Sequence, residues 1–136
     1  MRRVNVYVVM PPRLLLLDVA GPLEVIRRAN QVQDDLLFEV RYVGPSATLR
    51  TSIDLTLTAI EPLPEVLPKG ALVVLAGDVD QVMACSGHPA AGRSKSDADC
   101  ERAIVDWLKA VIRPGHKLIS ICSGALFAGR AGRPAG

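Results

Sequence analysis

Cys122 stands where the apolar run Leu118-Ile119-Ser120-Ile121 meets small residues and the helix-like Ala125-Leu126-Phe127-Ala128. The run reads as a buried strand, so the cysteine falls on a tight strand-to-helix turn. Unpaired amides and the positive end of the helix dipole there favour a thiolate over a thiol. Ser123 can cap the helix, and Gly124 can let backbone approach a ligand closely. The arrangement is that of a nucleophile elbow with cysteine in place of serine. The same residues also describe a small buried cysteine at a strand end.

Two further segments carry groups suited to chemistry. Leu17-Asp18-Val19-Ala20-Gly21-Pro22-Leu23-Glu24-Val25 supplies the carboxylates of Asp18 and Glu24. Leu75-Ala76-Gly77-Asp78 ends an apolar strand, where Gly77 could offer backbone N–H groups to an oxyanion. Taken singly, Asp18 reads as a helix cap, Glu24 as a solvated first-turn residue and Gly77 as a turn.

Those segments need a frame that brings them to one place, and the chain alternates strand and helix in a way that supplies it. Strands are expected at Val4 to Met10, Leu36 to Gly44, Ala71 to Ala76 and Leu118 to Ile121. Helices are expected from about Pro22 to Val32, with proline in the first turn, and from about Asp99 to Ile112. Ala47 to Arg50 and Leu55 to Ala59 suggest a short hairpin near the sheet edge. Pro62, Pro64 and Pro68 punctuate a connector, and Val82 to Asp99 reads as an irregular polar loop. This alternation implies an open parallel sheet with helices on both faces and ligands at the carboxyl ends of its strands.

Composition narrows the function classes. The 136 residues fit one domain, and 49% hydrophobic with 22% charged residues is ordinary for a soluble globular chain. A net charge of +2 and a 4% aromatic share argue against nucleic acid or an anionic membrane as a direct partner. The apolar runs are too short to span a bilayer, and Met1-Arg2-Arg3 is not followed by a signal-peptide pattern. Cys85, Cys100 and Cys122 show no metal-ligand spacing, so free thiols in a reducing cytoplasm are expected, with no metal and no cofactor. His88 and His116 fall in a loop and in a turn, and neither is placed as a base for Cys122.

Taken together, Leu17-Asp18-x-Ala20-Gly21-Pro22-x-Glu24-Val25, then Arg28-Ala29-Asn30, then Ile121-Cys122-Ser123-Gly124-Ala125 resemble the ThiJ/PfpI (class I glutamine amidotransferase-like) superfamily. Within it the match is to the N-terminal domain of AraC-type transcriptional regulators. The resemblance implies an α/β, flavodoxin-like three-layer sandwich with a mainly parallel central sheet, C-terminally incomplete here, and commonly a homodimer. Residues 1–136 would be a single, truncated domain of this type, without a helix-turn-helix region. Cys122 would be the elbow cysteine, Ser123 the neighbouring hydroxyl, and Asp18 the acidic residue that isonitrile hydratases place near the thiol. Gly77, Asp78, Ser123, Gly124 and Glu24 would line a ligand site.

Two departures bear on activity. Family members usually carry Pro-Gly-Gly where this chain has Ala76-Gly77-Asp78, and a carboxylate there would oppose a thiolate or developing oxyanion. The partner histidine of the family lies beyond the elbow helix, outside this sequence. The expected role is therefore a ligand-sensing and oligomerisation domain of a transcriptional regulator. It would bind a small metabolite and reach DNA only through a domain missing from this chain. The alternatives are a cysteine-dependent hydratase or amidase using Cys122 and Asp18, or a redox protein using the Cys122 thiolate.

Overall fold

The computed structural model describes residues 1–132. Its centre is a five-stranded, wholly parallel sheet. β1 (Arg2–Val9) lies in the middle, between β2 (Leu36–Gly44) and β6 (Leu72–Leu75). β5 (Glu61–Pro62) extends the sheet beyond β2, and β9 (Lys117–Ser120) extends it beyond β6. The apolar second half of β1 is buried on both faces, as a central parallel strand requires. The proline-rich connector thus contributes an edge strand, and Pro62 is tolerated because an edge leaves its missing N–H without consequence.

Two cores follow from strand alternation. Val9, Val43, Val73, Leu75 and Leu118 pack against α2 (Lys95–Val111) and α3 (Gly124–Arg130). Val6, Val8, Val74 and Ala76 pack against Val19 and Leu23 of α1 (Leu16–Val32) on the opposite face. The α/β flavodoxin-like sandwich expected from the sequence is therefore the observed architecture.

Three boundaries differ from the sequence expectation. α1 begins at Leu16, so Pro22 lies inside it and Asp18 belongs to its first turn. The N-cap residue Leu15 has no side chain able to cap this end. Instead Leu15 N–H donates to Gly77 O (3.0 Å), and Leu16 N–H donates to Ser52 Oγ (3.3 Å). α2 begins at Lys95 because Ser94 and Asp97 form a reciprocal capping box, each side chain accepting from the other's amide. The expected loop before it contains a hairpin of β7 (Gln81–Val82) and β8 (Ala91–Gly92). A second hairpin, β3 (Leu49–Arg50) with β4 (Thr56–Leu57), forms where short extended pieces were expected.

Candidate functional site

The turn after β9 is fixed by backbone. Ile121 N–H donates to Leu75 O (2.9 Å), and Gly124 N–H donates to Ile121 O (2.9 Å). Between them Cys122 is held at φ +50°, a left-handed conformation that a non-glycine residue adopts only when its surroundings impose it. Its side chain is exposed. Gly124 is required by the sheet rather than by a ligand, since a Cβ there would stand 2.1 Å from Leu75 O.

Asp18 reaches this turn from α1. It is buried, and its Oδ2 accepts from Gly77 N–H (3.1 Å). Gly77 can hold no side chain: a Cβ would lie 2.6 Å from Ser123 Oγ and 2.8 Å from Asp18 Oδ2. The Asp78 N–H donates to Ser123 Oγ (3.0 Å), whose own hydroxyl faces Asp78 O (3.2 Å). Ser123 therefore secures the neighbouring strand end and does not cap α3. Asp18, Gly77, Asp78, Cys122, Ser123 and Gly124 are thus brought together at the carboxyl ends of β6 and β9.

Glu24 is not brought there. It lies on the solvent side of α1, paired with Arg27 (2.8 Å). The histidines also point elsewhere. His88 Nδ1 lies 2.9 Å from Asp54 Oδ2. His116 Nδ1 accepts from Arg113 N–H (3.0 Å), which leaves Nε2 to donate to Pro68 O (3.1 Å). Among the described residues no group of three His, Cys, Asp or Glu side chains could hold a metal ion.

The electrostatics correct two expectations. The Cys122 thiol is pushed up, not down: its hydrogen bond to the Asp18 carboxylate and that group's charge both favour the protonated form. α3 has only 7 residues, a weak source of opposing dipole. The two amides that could have cradled an oxyanion are engaged by Asp18 and Ser123. Asp78, expected to oppose a thiolate, turns instead into a partly buried ionic cluster. Its Oδ2 is 3.2 Å from Arg13 and 3.5 Å from Arg93. Burial, then a hydrogen bond and repulsion from Glu101, push its carboxyl up, while Arg13 and Arg93 pull it down.

Sequence reasoning missed this cluster. Arg13, at φ +54° and only 4% exposed, donates to Val79 O, Asp97, Asp78 and Glu101. Arg93, just after β8, donates to Glu101 (3.1 Å). One signal was present: Glu101 lies on the same helical stripe as Ile104, Leu108 and Val111, a carboxylate in an apolar seam. Nothing around Arg13 distinguished it from a solvated arginine.

No protein-family model matches the sequence, and no curated protein matches it. Solved structures do. A protein from Vibrio parahaemolyticus assigned as a transcriptional regulator superposes with TM-score 0.62 at 14% identity, over 96% of this chain and 62% of that one. An AraC family transcriptional regulator from Pseudomonas putida gives TM-score 0.56 at 19% identity, covering 97% of this chain and 71% of that one. DJ-1 of Schizosaccharomyces pombe gives 0.55 at 15% identity, over 96% and 63%. The chain thus spans less than two thirds of the length of the Vibrio and Schizosaccharomyces proteins. At these identities the likeness is one of fold alone, the α/β sandwich with a parallel central sheet described above.

Proposed function

We propose that this chain is a ligand-sensing and oligomerisation domain of an AraC-type transcriptional regulator, acting on transcription through a separate helix-turn-helix domain. The observation that carries this reading is the closed oxyanion position. Gly77 N–H and Asp78 N–H already donate to Asp18 and Ser123, so a developing negative charge would find no free donor from that pair. The raised Cys122 thiol supports it, because a protonated sulfur is a poor nucleophile at neutral pH. Sensing needs neither donor nor thiolate.

A cysteine enzyme is the second reading, favoured by one feature. An exposed Cys122 at positive φ beside Asp18 could attack an electrophilic carbon, with Asp18 taking the thiol proton. The test compares the chain with Cys122→Ser on isonitriles, amides and 2-oxoaldehydes. The sensor reading expects no turnover by either. Turnover by the native chain that disappears in the variant would replace the sensor with the enzyme. Cytoplasmic residence belongs to the same proposal. No helix among the described residues is long and apolar enough to cross a membrane.

A further inference from the structure

Residues 81–92 read as part of an irregular polar loop in the sequence, yet they form a hairpin held to the molecule at few points. Gln81 pairs with Gly92 and Val82 with Ala91. Further out, Cys85 and His88 exchange backbone hydrogen bonds (2.9 and 2.8 Å) across a tight turn, with Gly87 at φ +85°. Every residue from Met83 to Ala90 is exposed, and Val82 is the one buried residue of the hairpin. An element with so little apolar burial belongs to the low-stability end of a fold.

This hairpin encloses space. Val82, Ala91 and Gly92 line a cavity of about 480 Å³. Leu49 and Arg50 of the β3–β4 hairpin line it as well, and so does Cys100 of α2. The base of the β7–β8 hairpin is fixed: Val79 N–H donates to Arg13 O (2.9 Å), and Arg93 Nε donates to Glu101 (3.1 Å). The tip is fastened differently, through one carboxylate of the β3–β4 turn. Asp54, at φ +63° and with its side chain almost wholly buried, pairs with Arg50 through one oxygen. Its other oxygen lies 2.9 Å from His88 Nδ1. The same Arg50 donates to Pro89 O (2.8 Å), and Met83 N–H donates to Ser52 O (3.0 Å).

We propose that the β7–β8 hairpin is a lid over this cavity, hinged at Val79 and Arg93 and latched at its tip by Asp54. Opening about the base uncovers Val82 and releases His88, Met83 N–H and Pro89 O to water, which satisfies them at the exposed surface. Asp54 keeps Arg50 as its partner, so no buried charge is stranded by the motion. A gate of this kind serves a sensor or an enzyme equally, and the inference goes beyond the choice between them.

The chain carries its own reporters. Cys100 lines the cavity and is partly covered, whereas Cys122 is exposed at the elbow. Iodoacetamide labelling at about pH 8, near the ordinary thiol range, followed by peptide mass spectrometry gives both rates in one experiment. His88→Ala unfastens the tip without touching a buried side chain. Asp54→Asn weakens both contacts of the latch and keeps a residue type that tolerates positive φ. Both variants should label Cys100 several-fold faster than the native chain, with Cys122 unchanged. Burial, Asp97, Asp99 and Glu101 hold the Cys100 thiol up, and neither substitution alters those carboxylates, so a faster rate reports uncovering. Hydrogen exchange in His88→Ala should quicken across residues 81–92 and stay unchanged in β1 and β6. Should Asp54→Asn not fold, the exposed His88→Ala decides the matter. Unchanged Cys100 labelling in the folded variants overturns the proposal. So does faster exchange in β1 to the same degree as in the hairpin, because the hairpin would then not move as a separate lid.

Discussion

At the scale of single residues, Asp18 sets the chemistry of Cys122. The carboxylate holds the thiol in its protonated form, so the backbone geometry of a nucleophile is present without its usual ionisation. Asp18→Asn removes that charge and lowers the Cys122 pKa. Each unit of decrease raises the thiolate fraction about tenfold while the thiol is mostly protonated. Iodoacetamide labelling at neutral pH, followed by peptide mass spectrometry, should show Cys122 alkylated several-fold faster in the variant. Labelling of Cys85, which is exposed and lies in a different turn, should stay unchanged. Equal Cys122 rates in both proteins would mean that Asp18 does not govern the sulfur.

At the scale of elements, the ionic cluster ties together four pieces that the sheet alone does not join. Arg13 comes from the β1–α1 loop, Asp78 follows β6, Arg93 follows β8, and Asp97 and Glu101 belong to α2. Three carboxylates against two guanidiniums leave one negative charge in excess; burial first, and then Glu101 beside it, make Asp78 hold its proton more tightly than usual. Its pKa is raised in the folded state. Its contribution to stability is therefore present below the ordinary carboxyl range and lost as pH rises through the folded value. Asp78→Asn removes this titration. Thermal unfolding of the two proteins between about pH 3 and 7 should show the variant gaining relative stability as pH rises. A pH-independent difference would contradict the assignment.

At the scale of the whole molecule, the sheet is asymmetric. The second half of β1 is buried on both faces, whereas β9 has no strand pairing its outer edge among the described residues. Ile119 on that strand is 40% exposed. Open strand edges invite pairing with another chain, and the homodimer implied by the sequence resemblance would be a natural occupant. Sedimentation equilibrium should show concentration-dependent self-association, weakened by Ile119→Glu. A monomer at all concentrations would count against this edge as an interface.

The sequence by itself determined the layered α/β architecture, because long apolar runs alternating with amphipathic segments can be buried in few other ways. It also determined the elbow. Cys122, Ser123 and Gly124 follow a strand directly, and the shape of that turn is set by neighbours in the chain. Asp18 and Gly77 were legible through their motifs, although not their contact, which spans 59 positions and depends on α1 starting at Leu16. That start was invisible because Gly77 O and Ser52 Oγ cap the helix from distant segments. Glu24 was misplaced for a related reason. Sharing a motif with Asp18 does not put two residues on one side of a helix, and six positions along α1 carry Glu24 to the solvent face. The direction of the Cys122 shift, the engaged amides and the Arg13 cluster were decided only by tertiary structure. Each depends on which charge lies within a few ångströms of which buried group, and no local pattern of residue types encodes that distance.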